Sequence, residues 1–200
     1  MKILIIGGQG TIGQKVATHF SVAHEVVIAG RTSGDVQVDI SNIESINQMY
    51  SSLGQLDAVI CIAGEAKWAK FDEMSEEDYY IGLRSKLMGQ VNLVRDGRKF
   101  LKPDGSFTLT TGILADDPVV MTTSAAMVNG GIHSFVKAAA LEMVNGHRIN
   151  VVASGLVEDA KEKYADFFPG HNPIPMEKVV NGYVRSVLGK GNGEVIRIYD

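Results

Sequence analysis

The chain has one cysteine, Cys61, in 200 residues. A lone thiol excludes an intrachain disulfide and a cysteine-based zinc site, and it fits a reducing cytoplasm. Long apolar runs are also missing. The opening run Ile3 to Ile6 breaks at Gly7-Gly8, too short for the core of a signal peptide, and nothing later approaches the roughly 18 apolar residues of a membrane span. Basic charge is not in excess either: 19 Lys and Arg stand against 23 Asp and Glu, for a formal net charge of −4. Without a basic stripe no nucleic-acid partner is expected. His19, His24, His133 and His147 show no spacing with carboxylates that suggests a metal site. These absences leave the expectation of a soluble cytoplasmic protein, one domain over residues 1–200, acting on a small molecule.

What is present is alternation. Short β-branched runs and longer stretches of helical period follow one another along the chain, which predicts a doubly wound α/β domain, a parallel sheet of about seven strands with helices on both faces. The expected strands are Lys2 to Ile6, Glu25 to Ala29, Val36 to Asp39, Ala58 to Ile62, Ser106 to Thr111, Ile149 to Ala153 and Val195 to Ile198. A long helix is expected over Ser124 to Asn145, capped by Ser124 and stopped by Gly146, and another over Glu76 to Leu101, ending before Pro103. Residues 158–175, punctuated by Pro169-Gly170 and Asn172-Pro173, read as an irregular flap over the strand ends.

The first strand runs directly into Gly7-Gly8-Gln9-Gly10-Thr11-Ile12-Gly13 and then a helix. The turn reads as G-x-G-x-x-G from Gly8 or as G-x-x-G-x-x-G from Gly7. Either way, glycine permits close backbone approach, and free amides at a helix start attract the diphosphate of a dinucleotide. Arg31 and Thr32 follow the second strand, where this fold meets the adenosine ribose. A guanidinium there matches a 2′-phosphate with a forked contact, so NADP(H) is expected in preference to NAD(H); a solvated surface arginine is the alternative. Asp39, beside Ile40, either faces the adenine or caps the helix that begins near Ser41.

Several further landmarks occur in order: Cys61-Ile62-Ala63-Gly64, Gly105-Ser106-Phe107, Arg148 to Gly155 and Gly193-Glu194-Val195-Ile196. With the glycine turn they make nearly the whole chain resemble the short-chain dehydrogenases and reductases. The resemblance implies that family's sheet, a cofactor face that includes Ala63 and Gly64, and two-fold dimers through the long helices. The breadth of apolar surface on the Ser124 helix also suggests a homodimer, the alternative being a helix buried inside one domain.

The family's catalytic signature does not carry over. Those enzymes use a serine after the fifth strand and, on the next helix, a tyrosine and a lysine one turn apart. The resemblance puts Gly112 at the serine, Ala125 at the tyrosine and Asn129 at the lysine. The family's asparagine on the preceding helix falls on Lys86, as though lysine and asparagine had changed places. Lys86 is therefore expected either to bring a cation to the site, with Asn129 as its polar neighbour, or to sit on a helix surface in water. Thr110 and Thr111 end the fifth strand, where Thr111 could orient a carbonyl. Tyr164 and His171 are flap residues with titratable groups, and Asp159 stands where the family keeps a threonine near the phosphates. Two functions are compatible with this pattern: an NADP(H)-dependent oxidoreductase with an altered site, and a non-catalytic dinucleotide-binding or sensing module.

Overall fold

The computed structural model describes residues 1–199. They form one seven-stranded sheet, all parallel, in the order β3-β2-β1-β4-β5-β6-β7. The strands are β1 (Lys2–Ile6), β2 (Glu25–Gly30), β3 (Val36–Gln37), β4 (Leu56–Cys61), β5 (Leu101–Gly112), β6 (Arg148–Ser154) and β7 (Val195–Ile198). The main helices are α1 (Thr11–Ser21), α2 (Ile43–Leu53), α3 (Glu76–Gly82), α4 (Gly89–Gly97), α5 (Thr123–Ala140), the short α6 (Lys161–Tyr164) and α7 (Met176–Leu188).

β1 shows why the sheet is covered on both faces. Ile3, Leu4, Ile5 and Ile6 are all fully buried, as a central parallel strand requires. Ile3 and Ile5 pack with Val16 and Phe20 of α1 and with Val179 and Tyr183 of α7. Leu4 and Ile6 face the other way, onto Ile46 and Tyr50 of α2, Leu93 of α4 and Ile132 and Val136 of α5. The two-residue period of the strand thus becomes two separate apolar layers. None of the described helices is long and apolar enough to cross a membrane.

Local chemistry sets several boundaries. Asn42 caps α2 by accepting from the Ser45 amide, and Ser75 with Asp78 forms a reciprocal capping box on α3. β3 is shorter than expected because Asp39 turns the chain away, its carboxylate accepting from the Ser41 amide and hydroxyl. β5 is longer, running from Leu101 through Pro103 and Gly105, with an irregular register against β4 at its start. The expected helix over Glu76 to Leu101 is interrupted by a π-wound turn, Leu83–Met88, and closes with a 3-10 turn, Arg98–Phe100. The helix expected to reach Asn145 stops at Ala140, because Leu141 and Glu142 bond three residues back and tighten the last turn. Ser124 lies inside that helix rather than capping it.

The segment expected as an irregular flap is mostly helical: two 3-10 turns, Glu158–Ala160 and Ala165–Phe167, flank α6. Its base is tied down by reciprocal backbone bonds between Leu156, Ile174 and Glu158, and the Glu158 carboxylate accepts from the Met176 amide. On the opposite side of the crevice β5 runs past its last paired residue in β4. There Gln90 of α4 takes the place of a strand, its amide both donating to and accepting from the Thr110 backbone. The carboxyl ends of β1, β4 and β5 open into the crevice where strand order reverses, the usual position of a ligand site in such sheets.

Candidate functional site

The glycine turn leaves a set of amides free. The N–H groups of Gly8, Gln9, Thr11, Ile12 and Gly13 find no acceptor among the described residues, while Gly7 donates to Ala29 and Gly10 to Gly7. Gly7 takes a φ of +83°. Gly13 is a glycine for a different reason: a Cβ there would stand 2.1 Å from the Gly7 oxygen. Start of helix and turn are therefore in backbone contact, and the orphan amides gather at the start of α1, a ready anion site. The Gln9 side chain bonds Ser33 beyond β2, which pins the turn to its neighbour.

Next to the turn a cleft of about 460 Å³ is lined by Gly7, Arg31, Thr32, Ile40, Ala63 and Gly64, together with Val38, Glu65 and Ser85. The Arg31 guanidinium reaches Glu65 across it at 3.5 Å, both side chains being exposed. Such a pair contributes little stability and separates readily. Asp39 binds locally through one carboxylate oxygen, Oδ1. Its carboxylate is used in the Ser41 turn, where those hydrogen bonds hold its pKa below the usual aspartate value, and the residues of this stretch that line the cleft are Val38 and Ile40. Asp159 has also found a partner: Lys15 of α1 lies 3.6 Å from it, so the carboxylate near the turn is offset by a cation.

Gly64 and Glu65 are shared with a second cavity of about 620 Å³, and here the four aligned positions meet. Lys86, Gly112, Ala125 and Asn129 all line it. Lys86 comes from the π-wound turn, and its approach depends on Gly64, where a Cβ would lie 2.8 Å from the Lys86 Cα. The Lys86 side chain is half-buried and makes no hydrogen bond or ion pair among the described residues. Burial lowers the pKa of its ammonium below the ordinary lysine value, opposed in part by the Cys61 thiol. Asn129 is 4% exposed and its Oδ1 accepts no hydrogen bond. Lysine and amide share a cavity and do not touch through a hydrogen bond. An unmatched donor and an unmatched acceptor at one wall are what a polar ligand group can satisfy.

The remaining candidates separate. Thr111 lines the same cavity, but its hydroxyl is joined to His133 Nε2 at 2.8 Å. Thr110 faces the other side of the sheet and bonds the Tyr183 hydroxyl at 2.8 Å, which removes it from the site. Tyr164 lines the cavity with Trp68 and Phe167, whereas His171 pairs with Asp117 at 3.5 Å in a neighbouring hollow. Cys61 is buried, and burial pushes its thiol up to about 11, which keeps it protonated and unreactive at neutral pH. No group of three or more His, Cys, Asp or Glu able to hold a metal occurs among the described residues. Sequence reasoning missed Glu65, Trp68 and the His133 partner of Thr111. Trp68 had a signal, since it is the only tryptophan and lies in the loop that follows the fourth strand.

Strand order, glycine turn and crevice define a Rossmann-like α/β protein. The chain belongs to the short-chain dehydrogenase/reductase family: a family profile described as enoyl-(acyl carrier protein) reductase matches residues 11–179. Among solved structures it is similar to the protein lin1944 from Listeria innocua, with 45% identity and a TM-score of 0.98 over the whole of both chains. It also resembles a small-chain dehydrogenase solved in complex with NADPH, at 24% identity and a TM-score of 0.88, covering 100% of this chain and 96% of that one. A further short-chain dehydrogenase/reductase family protein superposes with a TM-score of 0.87 at 19% identity, over 99% of this chain and 95% of that one. Identities this low speak for the fold alone. No curated protein matches the chain.

Proposed function

We propose that the chain is an NADP(H)-dependent oxidoreductase acting on a carbonyl or alcohol, with Lys86 in place of the family's tyrosine as proton donor. The supporting observation is convergence: Lys86, Gly112, Ala125 and Asn129 line one cavity, which opens at Gly64 and Glu65 into the cleft beside the glycine turn. The free amides from Gly8 to Gly13 fit a diphosphate, and Arg31 and Thr32 at the far end of the cleft fit a ribose 2′-phosphate. The dehydrogenase solved with NADPH has the same fold, which supports the assignment. When bound, the nicotinamide supplies hydride chemistry.

The protein's part is to hold and protonate. The Lys86 ammonium donates to a carbonyl oxygen and gives up its proton as that oxygen becomes an alkoxide. A pKa lowered by burial makes it a stronger acid for this step. Asn129 orients the oxygen or the lysine through its free amide oxygen and its N–H groups. Thr111, tied to His133, fixes the cavity wall. General acid catalysis of this kind contributes about a hundred- to ten-thousand-fold.

Calorimetric titration tests the cofactor assignment. Arg31→Ala should weaken NADPH by about tenfold or more and leave NADH nearly unchanged, because one charge-assisted contact to a 2′-phosphate is lost. Glu65→Gln, which frees Arg31 from its carboxylate, should strengthen NADPH. Equal losses for both coenzymes in Arg31→Ala contradict the assignment. NADPH consumption over a carbonyl panel then tests turnover, which Lys86→Met should abolish. The missing hydroxyls at Gly112 and Ala125 favour a second reading, a dinucleotide-binding or sensing module, and tight NADPH binding with no turnover on any carbonyl would select it.

We further propose a two-fold dimer through α4 and α5, whose outer faces carry a groove lined by Val91, Arg95, Phe135, Ala139 and Met143. Sedimentation at micromolar concentration should give twice the chain mass; a monomer refutes the dimer.

A further inference from the structure

The cavity that holds Lys86 has a second cation and an aromatic wall. Lys163 of α6 lies on its lip, with its Nζ 4.9 Å from the centre of the Tyr164 ring. Neither Lys86 nor Lys163 has a carboxylate partner among the described residues. The carboxylate that does line the cavity, Glu65, is directed to Arg31. Its aromatic wall is Trp68 with Tyr164 and Phe167, ring centres 5.5 and 5.7 Å from the indole, and Leu114, Met121 and Ala125 complete an apolar lining. The deep end holds the unmatched Asn129 oxygen.

We propose that the substrate is an aromatic oxo acid. Its ring lies against Trp68 and Tyr164, its carbonyl faces Lys86 and Asn129, and its carboxylate meets Lys163. A cavity with Lys86 half-buried on its wall and Lys163 exposed at its lip favours an anion, because a neutral ligand seated over either ammonium would desolvate it without pairing it. A flat hydrophobic ring gains from aromatic contact. An acid satisfies both demands. Placing the carbonyl at Lys86 rests on the oxidoreductase reading; the preference for a carboxylate rests on charge alone and is measured without turnover.

Trp68 is the only tryptophan of the chain and lines this cavity, so its emission reports on an occupant. The probes are 4-phenyl-2-oxobutanoate and 4-phenyl-2-butanone, which differ in a carboxylate against a methyl. They are titrated into the full chain with and without NADPH, by Trp68 fluorescence and by calorimetry. The acid should bind about tenfold more tightly than the ketone, with a preference that shrinks at high salt. Lys163→Met should abolish most of that preference, and Lys86→Met should weaken both probes. Urea midpoints of the variants show whether each is folded, and Lys163→Gln, a milder change at an exposed position, repeats the test if the methionine variant is not. Equal binding of acid and ketone overturns the proposal, as does a preference that survives loss of Lys163, unchanged binding of both probes in Lys86→Met, or binding of neither probe. Failure of the cofactor reading shows up separately, as the absence of NADPH binding with the acid preference intact.

Discussion

Two glycines of the phosphate turn, Gly10 and Gly13, should differ in what alanine does to stability. At Gly13 the new Cβ would lie 2.1 Å from the Gly7 oxygen and 2.8 Å from the Gly8 Cα, both backbone atoms. No rotamer relieves that, so turn and helix must part by roughly 1 Å. Neither can move freely: Ile5 and Ile6 of β1 and Val16, Ala17 and Phe20 of α1 are buried. Overpacking of this kind costs about 1–3 kcal/mol, and the loss of chain entropy in the unfolded state returns only about 0.4–1 kcal/mol. A net loss of about 1.3 kcal/mol should lower the urea midpoint by about 0.6 M. The amides would be displaced as well. Losing two charge-assisted contacts to a diphosphate, about 1.5 kcal/mol each, weakens NADPH about a hundredfold. Gly10 is the contrast. It is exposed, its φ is −74°, and a Cβ would meet only the Gly7 oxygen, at 3.4 Å. Gly10→Ala should leave the unfolding free energy within about 0.5 kcal/mol of wild type, while its methyl obstructs the open side of the turn and weakens NADPH. Urea unfolding and calorimetry on both variants decide the matter. A stable Gly13→Ala protein that binds NADPH normally refutes the packing argument, and an unstable Gly10→Ala protein refutes the division of roles.

Tyr183→Phe should cost about 1–2 kcal/mol in urea, because the Thr110 hydroxyl in the core loses its partner. Adding Thr110→Val should restore much of that loss, and strict additivity of the two changes would show that the hydrogen bond does not couple them. His133 gives a pH dependence. Burial lowers its pKa below the ordinary 6.5, with Asp116 opposing and Arg197 and Lys137 assisting. The folded state then binds fewer protons than the unfolded one, so stability falls as pH drops from about 6.5 through the lowered value. His133→Gln should flatten that part of the pH–stability curve, and an unchanged slope between pH 7 and 5 would remove His133 as its source.

Contiguous signals were the legible ones. A strand, a glycine turn and a helix start occupy residues 2 to 13 without interruption, and each reinforces the next. Boundaries set by tertiary contact were not. Pro103 and Gly105 read as punctuation, yet the chain there continues as β5, with Lys102 held to Asp57 at 3.0 Å. Asp39 read as an adenine contact or as a cap, and only the structure shows its Oδ1 taken up by the Ser41 turn. Thr111 and His133 lie 22 residues apart on different elements, and no local pattern announces the bond between them. The meeting of Lys86 with Asn129 was legible through family resemblance alone, since the π-wound turn that carries Lys86 has no simple sequence marker.

That turn explains how the lysine and the amide can change places. Asn129 sits on α5 at 4% exposure, and an ammonium there would be stripped of water with no carboxylate beside it. A neutral amide carries a smaller penalty at such a position. Lys86 has a different setting. Its stem passes over Gly64 at the end of β4, and its head ends in a cavity that opens to the cleft. Moving the cation from the buried helix to the open turn keeps a donor at the site and reduces the desolvation it suffers. On the proposed reading, the altered order of residue types is a change in which element supplies the charge, and Lys86 and Asn129 still bring a cation and an amide to one cavity. What the exchange does not replace, on that reading, is a hydroxyl at the position of Ala125. The proton then comes from another group that lines the cavity, the Lys86 ammonium or the Thr111 or Tyr164 hydroxyl, or from water, and the proposed donor is the ammonium.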